Sequence, residues 1–190
     1  MKKTIVLDFD GTIYRGDSSV DFFLFVLRRH PKAIKKLPAF FFAALAFLFH
    51  KCSKEHLKER FFAIVSAVPA LNHEVSAFWD VNEKKIYPWY QMREHGEDVI
   101  ISASPEFLIE PIGQRLGVRA VIATKVAPDT GAFLSKNCHG AEKVTRFRDV
   151  YGDDSIEEFY FDSLSDLPLA KRSKAAYRVA KSGKLSVYND

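Results

Sequence analysis

Hydrophobic residues along this chain follow two rhythms. Short unbroken apolar runs read as buried strands: Thr4-Ile5-Val6-Leu7, Asp98-Val99-Ile100-Ile101-Ser102, Ala120-Val121-Ile122-Ala123, Glu158-Phe159-Tyr160-Phe161 and Ala175-Ala176-Tyr177-Arg178-Val179. Helical spacing separates them. Residues 105–116 carry Ser104 as N-cap, Pro105 at the first helical position and Gly117 after the end. Residues 142–151 predict another helix, and residues 90–95 a short one ending at Gly96. Residues 125–134, broken by Pro128-Asp129-Thr130-Gly131, predict a hairpin. Strands alternating with helices predict an α/β fold, a Rossmann-like doubly wound parallel sheet.

The stretch after the first strand breaks this alternation. Ser18, followed by Asp21, reads as the capping box of a helix over residues 20–29 that stops near Pro31. Further helices are predicted over 38–49, from an N-cap at Ser53 to Val68 before Pro69, and over 72–80. With no strand among them, residues 15–81 are expected to form a helical cap. Residues 1–14 and 82–190 are then the core.

The cap carries most of the chain's charge asymmetry. Between Arg28 and Arg60 nine Lys or Arg face only Glu55 and Glu59, a local +7 against −3 for the rest of a +4 chain. Residues 37–49 hold no charge and include Phe40, Phe41, Phe42, Phe47 and Phe49. As a helix they span about 20 Å, short of the roughly 30 Å hydrocarbon core of a bilayer. Two uses fit such a segment equally well. It packs inside the cap against Phe22, Phe23 and Phe25, or it lies in an anionic membrane interface with its basic flanks on the headgroups.

Composition narrows the rest. Hydrophobic residues at 47% and charged residues at 27% describe a globular chain. Cys52 and Cys138 set neither a disulfide framework nor a zinc site and read as inert thiols. The apolar run after Met1 is too short for a signal peptide. The expected location is the cytoplasm, with a peripheral place at the inner face of the membrane. The basic run has no nucleic-acid motif beside it, so no nucleic-acid partner is expected. His30, His50, His56, His73 and His95 show no metal-ligand spacing, and His139 reads as structural.

Chemistry collects where the predicted strands end. The first delivers Asp8-Phe9-Asp10-Gly11-Thr12, the second Ser102, the fourth Asp162 and then Asp166; Lys143 opens a helix between them. Carboxyl ends of parallel strands share one edge of a sheet, where ligands bind. Carboxylates suit a hard cation such as Mg²⁺. A lysine, a hydroxyl and a helix N-terminus suit a phosphate. Plainer roles exist for each: Asp8 and Asp10 capping a turn, Ser102 capping a helix, Lys143 in solvent, Asp162 and Asp166 as loop acids. A lysine in a first helical turn is badly placed for the helix dipole, which favours a bound anion there.

These four motifs, in this order, resemble those of the haloacid dehalogenase superfamily of phosphatases, from Lys3 to about Lys181. The insertion resembles the helical cap of its phosphoserine-phosphatase-like branch. The resemblance implies a phosphoric monoester hydrolase in which Asp8 is the nucleophile and Asp10 the general acid and base. It implies Mg²⁺ held by Asp8, Asp162 and the backbone carbonyl of Asp10, with Asp166 orienting a metal-bound water. Ser102, the Ala103 N–H and Lys143 would bind phosphate, beside the Gly11-Thr12 turn.

The substrate is less constrained. Ala103-Ser104 stands where phosphoserine phosphatases have two glycines, and Phe161 where many members have a glycine. Asp17 and Arg60 point the other way: the resemblance implies that they meet a substrate ammonium and carboxylate, although Arg60 also reads as one more charge on a basic helix. Leu27-Arg28-Arg29-His30-Pro31, Cys138-His139-Gly140-Ala141-Glu142-Lys143 and the segment from Asp162 to Leu169 resemble bacterial phosphatidylglycerophosphatases of the same superfamily, as does Tyr177-Arg178-Val179 with Gly183 after it. The expected substrate is therefore a phosphatidylglycerophosphate-like lipid, with phosphoserine or another small phosphorylated metabolite as the alternative. A membrane-binding protein of this fold without turnover is a third expectation.

Overall fold

The structure is a computed structural model and describes residues 4–189. Residues 1–3 and 190, the outermost positions of the expected core segments, lie outside the described residues, as does Lys3, where the resemblance starts. Six strands form one sheet: β1 (Ile5–Leu7), β2 (Asp98–Pro105), β3 (Ala120–Thr124), β4 (Ile156–Phe161), β5 (Ser173–Val179) and β6 (Leu185–Val187). Their order is β3-β2-β1-β4-β5-β6, parallel throughout except that β6 runs antiparallel on β5. Every residue of β1 is buried, as a central parallel strand requires. Its neighbours lead away in opposite directions, so the topological switch lies between β1 and β4, beyond their carboxyl ends. The three exposed residues of β6 escape the sequence pattern because an edge strand need not be apolar.

Eight α-helices accompany the sheet among the described residues: α1 (Ser18–Arg29), α2 (Leu37–Leu48), α3 (Lys54–Phe62), α4 (Leu71–Asn82), α5 (Pro88–Gln91), α6 (Glu106–Leu116), α7 (Ala141–Tyr151) and α8 (Leu167–Ala170). Alternate strand residues serve opposite faces. Val6, Val99, Ile101, Phe159 and Phe161 pack with Phe147 of α7 and Leu169 of α8. Leu7, Ile100 and Tyr160 pack with Leu108, Ile109 and Ile112 of α6 and with Phe78 and Trp79 of α4. The second cluster continues into Phe22 and Val26 of α1, so the inserted helices share a core with the sheet. Trp79 anchors that junction, donating Nε1–H to the Leu108 carbonyl at 2.8 Å.

Four local readings need correction. Asp17, not Ser18, caps α1 and accepts the Val20 N–H. The long third helix breaks at Phe62 into a 3₁₀ turn, Ala63–Ala67. The helix expected over 90–95 is instead the single turn α5. Ser104 and Pro105 still belong to β2; Pro105 caps α6, and the β2–β3 register shifts between Ser102 and Pro105. Tertiary pairing has overridden the Ser-Pro start signal there.

Two sets of contacts hold the helical insertion. Where the chain leaves and returns, Tyr14 bridges Ile86, Arg15 N–H donates to the Lys85 carbonyl at 2.9 Å, and Tyr87 N–H donates to the Ile13 carbonyl at 2.9 Å. Farther out, α3 rests on the segment after β3. Lys58 donates to Asn137 at 3.2 Å, and Glu59 accepts the Phe133 N–H at 3.2 Å. That segment is the expected hairpin, reduced to one Val126–Phe133 bridge. Its Gly131 has φ +78°, and a Cβ there would stand 2.3 Å from the Phe62 carbonyl, so only glycine allows α3 this close.

Candidate active site

The sheet brings the expected residues to one rim. Asp8 follows β1 directly and donates its N–H to the Tyr160 carbonyl of β4 at 2.9 Å. Lys143, third residue of α7, reaches back to this rim. Its Nζ donates to Asp8 Oδ1 at 2.6 Å and to Asp166 Oδ2 at 2.7 Å. Lys143 is only 2% exposed, so an ammonium is buried between two carboxylates. Burial alone would lower its pKa, but Asp8 and Asp166 outweigh that and raise it. Lys143 therefore stays charged. Burial pushes Asp8 up to about 7, against the pull of Lys143.

Asp10 is held separately. Its Oδ1 accepts the Ser18 N–H at 2.6 Å and its Oδ2 accepts the Ser104 hydroxyl at 2.5 Å. Ser104 also meets the Ser19 hydroxyl at 2.8 Å, and its N–H donates to Ser102 Oγ at 3.1 Å. Burial, followed by the charge of Asp17, raises Asp10 to about 6. Such a carboxyl sits near the working range of a general acid and base. Ser104 is the contributor that sequence reasoning missed. It lies 94 positions from Asp10, and its hydroxyl reads locally as a helix cap. No local spacing carries the signal.

Gly11 and Thr12 build the turn rather than the pocket. Gly11 N–H is used by the Tyr14 and Gly16 carbonyls, and Thr12 N–H by the Phe9 carbonyl. Gly11 has φ +76°, and a Cβ there would stand 2.2 Å from Asp162 Oδ2. The absent side chain is what lets the Asp162 carboxylate approach the turn that follows β1. Burial, then the nearby Asp166, raises Asp162 as well. Asp166 Oδ1 and the Thr12 hydroxyl are buried with no hydrogen-bond partner.

Among the described residues no three His, Cys, Asp or Glu side chains come together as a metal cluster. The side chain of Asp10 is engaged by Ser18 and Ser104, so the acids do not all converge on one point. The Asp8 and Asp162 carboxylates line the same cavity at this rim, and their oxygens are of the kind a hard divalent ion takes. Mg²⁺ favours such sparse sites, completing its shell with water. The orphaned Asp166 Oδ1 and the glycine gap under Asp162 fit that occupant.

A cavity of about 570 Å³ opens over these groups. Its floor is polar apart from Ala103: Asp8, Asp10, Ser102, Ser104, Lys143 and Asp162. Its opposite wall is apolar: Val20 of α1, Phe40 and Phe47 of α2, and Leu57, Phe61 and Phe62 of α3. Asp17 and Lys58 stand on the wall, and His139 also lines the space. Arg60 is exposed on α3 and is not among the lining residues; Lys58 is the cap cation that is. A second space of about 900 Å³ meets the rim at Asp10, Gly11 and Asp162 and is bordered by Arg15, Arg178 and Lys181. Cys138 is buried, and its thiol is pushed up to about 12 by burial, which keeps it protonated and inert.

Residues 5–171 match the family of haloacid dehalogenase-like hydrolases, and the chain belongs to that family. Protein CicA of Caulobacter vibrioides is 28% identical over 92% of this chain and 85% of its own length. Among solved structures, a protein of unknown function from Bordetella pertussis Tohama I is similar, with a TM-score of 0.69 and 18% identity over 95% of this chain and 90% of that one. A phosphoserine phosphohydrolase-like protein from Francisella tularensis aligns with a TM-score of 0.56 and 19% identity, covering 94% and 87%. At these identities the structures speak for the fold.

Proposed function

We propose that this haloacid dehalogenase-like hydrolase is a Mg²⁺-dependent phosphomonoesterase that forms an aspartyl-phosphate on Asp8. Its best substrate is an amphipathic phosphate ester of the phosphatidylglycerophosphate type. The observation that carries the chemistry is the buried Asp8–Lys143–Asp166 chain beside a separately held Asp10. Asp8 attacks phosphorus as the bond to the alcohol oxygen breaks, and Asp10 gives that oxygen its proton. Water then attacks the phosphoryl group, Asp10 takes the water's proton, and orthophosphate leaves as Asp8 is restored. Lys143 balances charge on Asp8 and on the equatorial phosphate oxygens. Ser102 Oγ, which accepts from Ser104, keeps its own hydrogen for a phosphate oxygen. Mg²⁺ bound by Asp8, Asp162 and the Asp10 carbonyl would supply charge stabilisation at the phosphoryl group. Residues 15–81 act as the cap over this site.

The apolar cavity wall supports the lipid-like substrate. An acyl or alkyl alcohol finds Phe40, Phe47, Leu57, Phe61 and Phe62 within the same cavity as the catalytic acids. Asp17 and Lys58 favour a second reading, a small zwitterionic ester such as phosphoserine, since they would meet an ammonium and a carboxylate. A phosphate-release screen with Mg²⁺, containing both lipid and soluble esters, decides between them. Release is expected to be fastest from the lipid ester, to stop with EDTA and to vanish in Asp8→Asn. Phosphate from no ester at all would overturn the enzymatic reading in favour of a non-catalytic protein of this fold.

A further inference from the structure

Helix α2 contradicts the usual rule for its composition. A helix apolar all round is normally buried, yet among residues 37–48 only Ala43 is. One side of α2 turns inward: Phe40 packs on Phe23 and Phe61 with ring centroids 5.9 and 5.6 Å apart, and Phe40 and Phe47 line the catalytic cavity. The other side is bare. Phe41 is 66% exposed, Phe42 68%, Leu48 70% and Phe49, just past the helix, 63%. The sequence left two uses for these phenylalanines; Phe40 and Phe47 take the inward one, and Phe41, Phe42 and Phe49 are left exposed.

The surroundings of the bare side carry one sign of charge. No Asp or Glu occurs from Arg28 to Ser53. The 3₁₀ turn before α2, Pro31–Lys36, presents Lys32, Lys35 and Lys36 to solvent, with Ile34 exposed among them, and Lys51 follows α2. Exposed aromatics beside a cationic collar complement the interface of an anionic bilayer, where apolar side chains enter the acyl boundary and lysines meet headgroups. At 12 residues α2 is about 18 Å long, too short to cross. No single helix among the described residues is long and apolar enough to do so. The bent pair that passes on length and composition, His56–Ala67 with Leu71–Lys85, spends Phe62, Ile64, Val65, Phe78 and Trp79 on the core.

We propose that α2 and the turn before it dock in the plane of an anionic membrane surface, which places the apolar wall of the catalytic cavity next to the acyl region. This deepens the lipid-ester reading: the helix that meets the bilayer on one side bounds the cavity on the other. The step is electrostatic and hydrophobic, so it needs neither Mg²⁺ nor turnover.

The test is flotation of the full chain with vesicles of phosphatidylcholine containing phosphatidylglycerol, against phosphatidylcholine alone, with EDTA present. Wild type is expected to float with the anionic vesicles and to be released by high salt. Combined Phe42→Ser, Leu48→Ser and Phe49→Ser should weaken partitioning by about tenfold or more. The same should follow from Lys32→Gln, Lys35→Gln and Lys36→Gln at low salt. Both sets should hydrolyse a short soluble ester as wild type does. Equal flotation of wild type and the serine variant, or none by wild type, would overturn the proposal. So would a dimer without vesicles that the serine variant abolishes, since the face would then join two copies. Asp8→Asn should float like wild type. Flotation without hydrolysis of any ester would leave the docking standing and remove the phosphatase reading.

Discussion

Lys143 and Phe42 stand at opposite extremes of this molecule. The first is a charged side chain with almost no contact with water; the second is an aromatic one with little else. Around Lys143 three chain segments far apart in sequence meet through ionic hydrogen bonds of 2.6 and 2.7 Å. Around Phe42 the ring pair is with its own neighbour Phe41, the centroids 6.4 Å apart. A buried ammonium is tolerated only because two carboxylates compensate it. An exposed apolar face has no such compensation within the chain, and a large one marks a surface of interaction. The rim is finished by folding, and α2 is not.

Substitution should sharpen that contrast, beginning with the largest effect. Lys143→Met leaves two buried carboxylates facing each other and should cost about 3–5 kcal/mol in chemical denaturation, with hydrolysis falling below detection. Phe78→Ala, in the core shared by α1, α4 and the sheet, should cost a similar 3–5 kcal/mol. Gly11→Ala should cost about 1–3 kcal/mol, because it strains a positive φ and displaces Asp162. Its kcat should fall even where the folded protein is recovered.

Glu74 gives a smaller effect with a defined pH window. It joins α4 to α1, accepting Arg29 Nε–H at 2.7 Å and Nη2–H at 3.3 Å. The Arg29 hydrogen bond lowers its pKa, with burial opposing and His30 adding. A lowered folded pKa adds stability above the ordinary Glu value of about 4.3, and loses it as pH falls through the folded value. Glu74→Gln should therefore melt earlier than wild type at neutral pH, with the difference fading on acidification below that range. A gap unchanged down to strongly acidic pH would place its source outside the ion pair. The smallest effect belongs to Phe42→Ser, which should change stability by no more than about 0.5 kcal/mol. A loss as large as that of Phe78→Ala would mean that α2 is covered within the chain itself.

The same contrast marks what the sequence could reveal. The Asp8-to-Thr12 stretch, Ser102, Lys143, Asp162 and Asp166 were legible because each stands in or beyond the last part of a strand or in the first turn of a helix whose pattern is local. Parallel topology then gathers strand ends without further information. Ser104 was misread because its local context names a helix cap, whereas its hydrogen bond reaches across 94 residues. Arg60 resembles the family's cap arginine by its position in the sequence, but sequence distance does not tell which side of α3 faces the cavity, and Lys58 lines it instead. Asp17 displaced Ser18 as the cap of α1 because Asp10 claims the Ser18 N–H. The exposure of α2 was undecidable from composition, since burial and membrane contact demand the same residues.

The paired backbone at residues 13–15 and 85–87 has an evolutionary corollary. Those pairs close the excursion at its base, so β1 keeps its register whatever is strung between them. Loop-closure cost rises only slowly with length. Exit and return therefore form a base at which the length of the excursion can vary at small cost, whereas Ser18, which holds Asp10, and Phe78 and Trp79, which complete the shared core, tie the first and last inserted helices to the sheet.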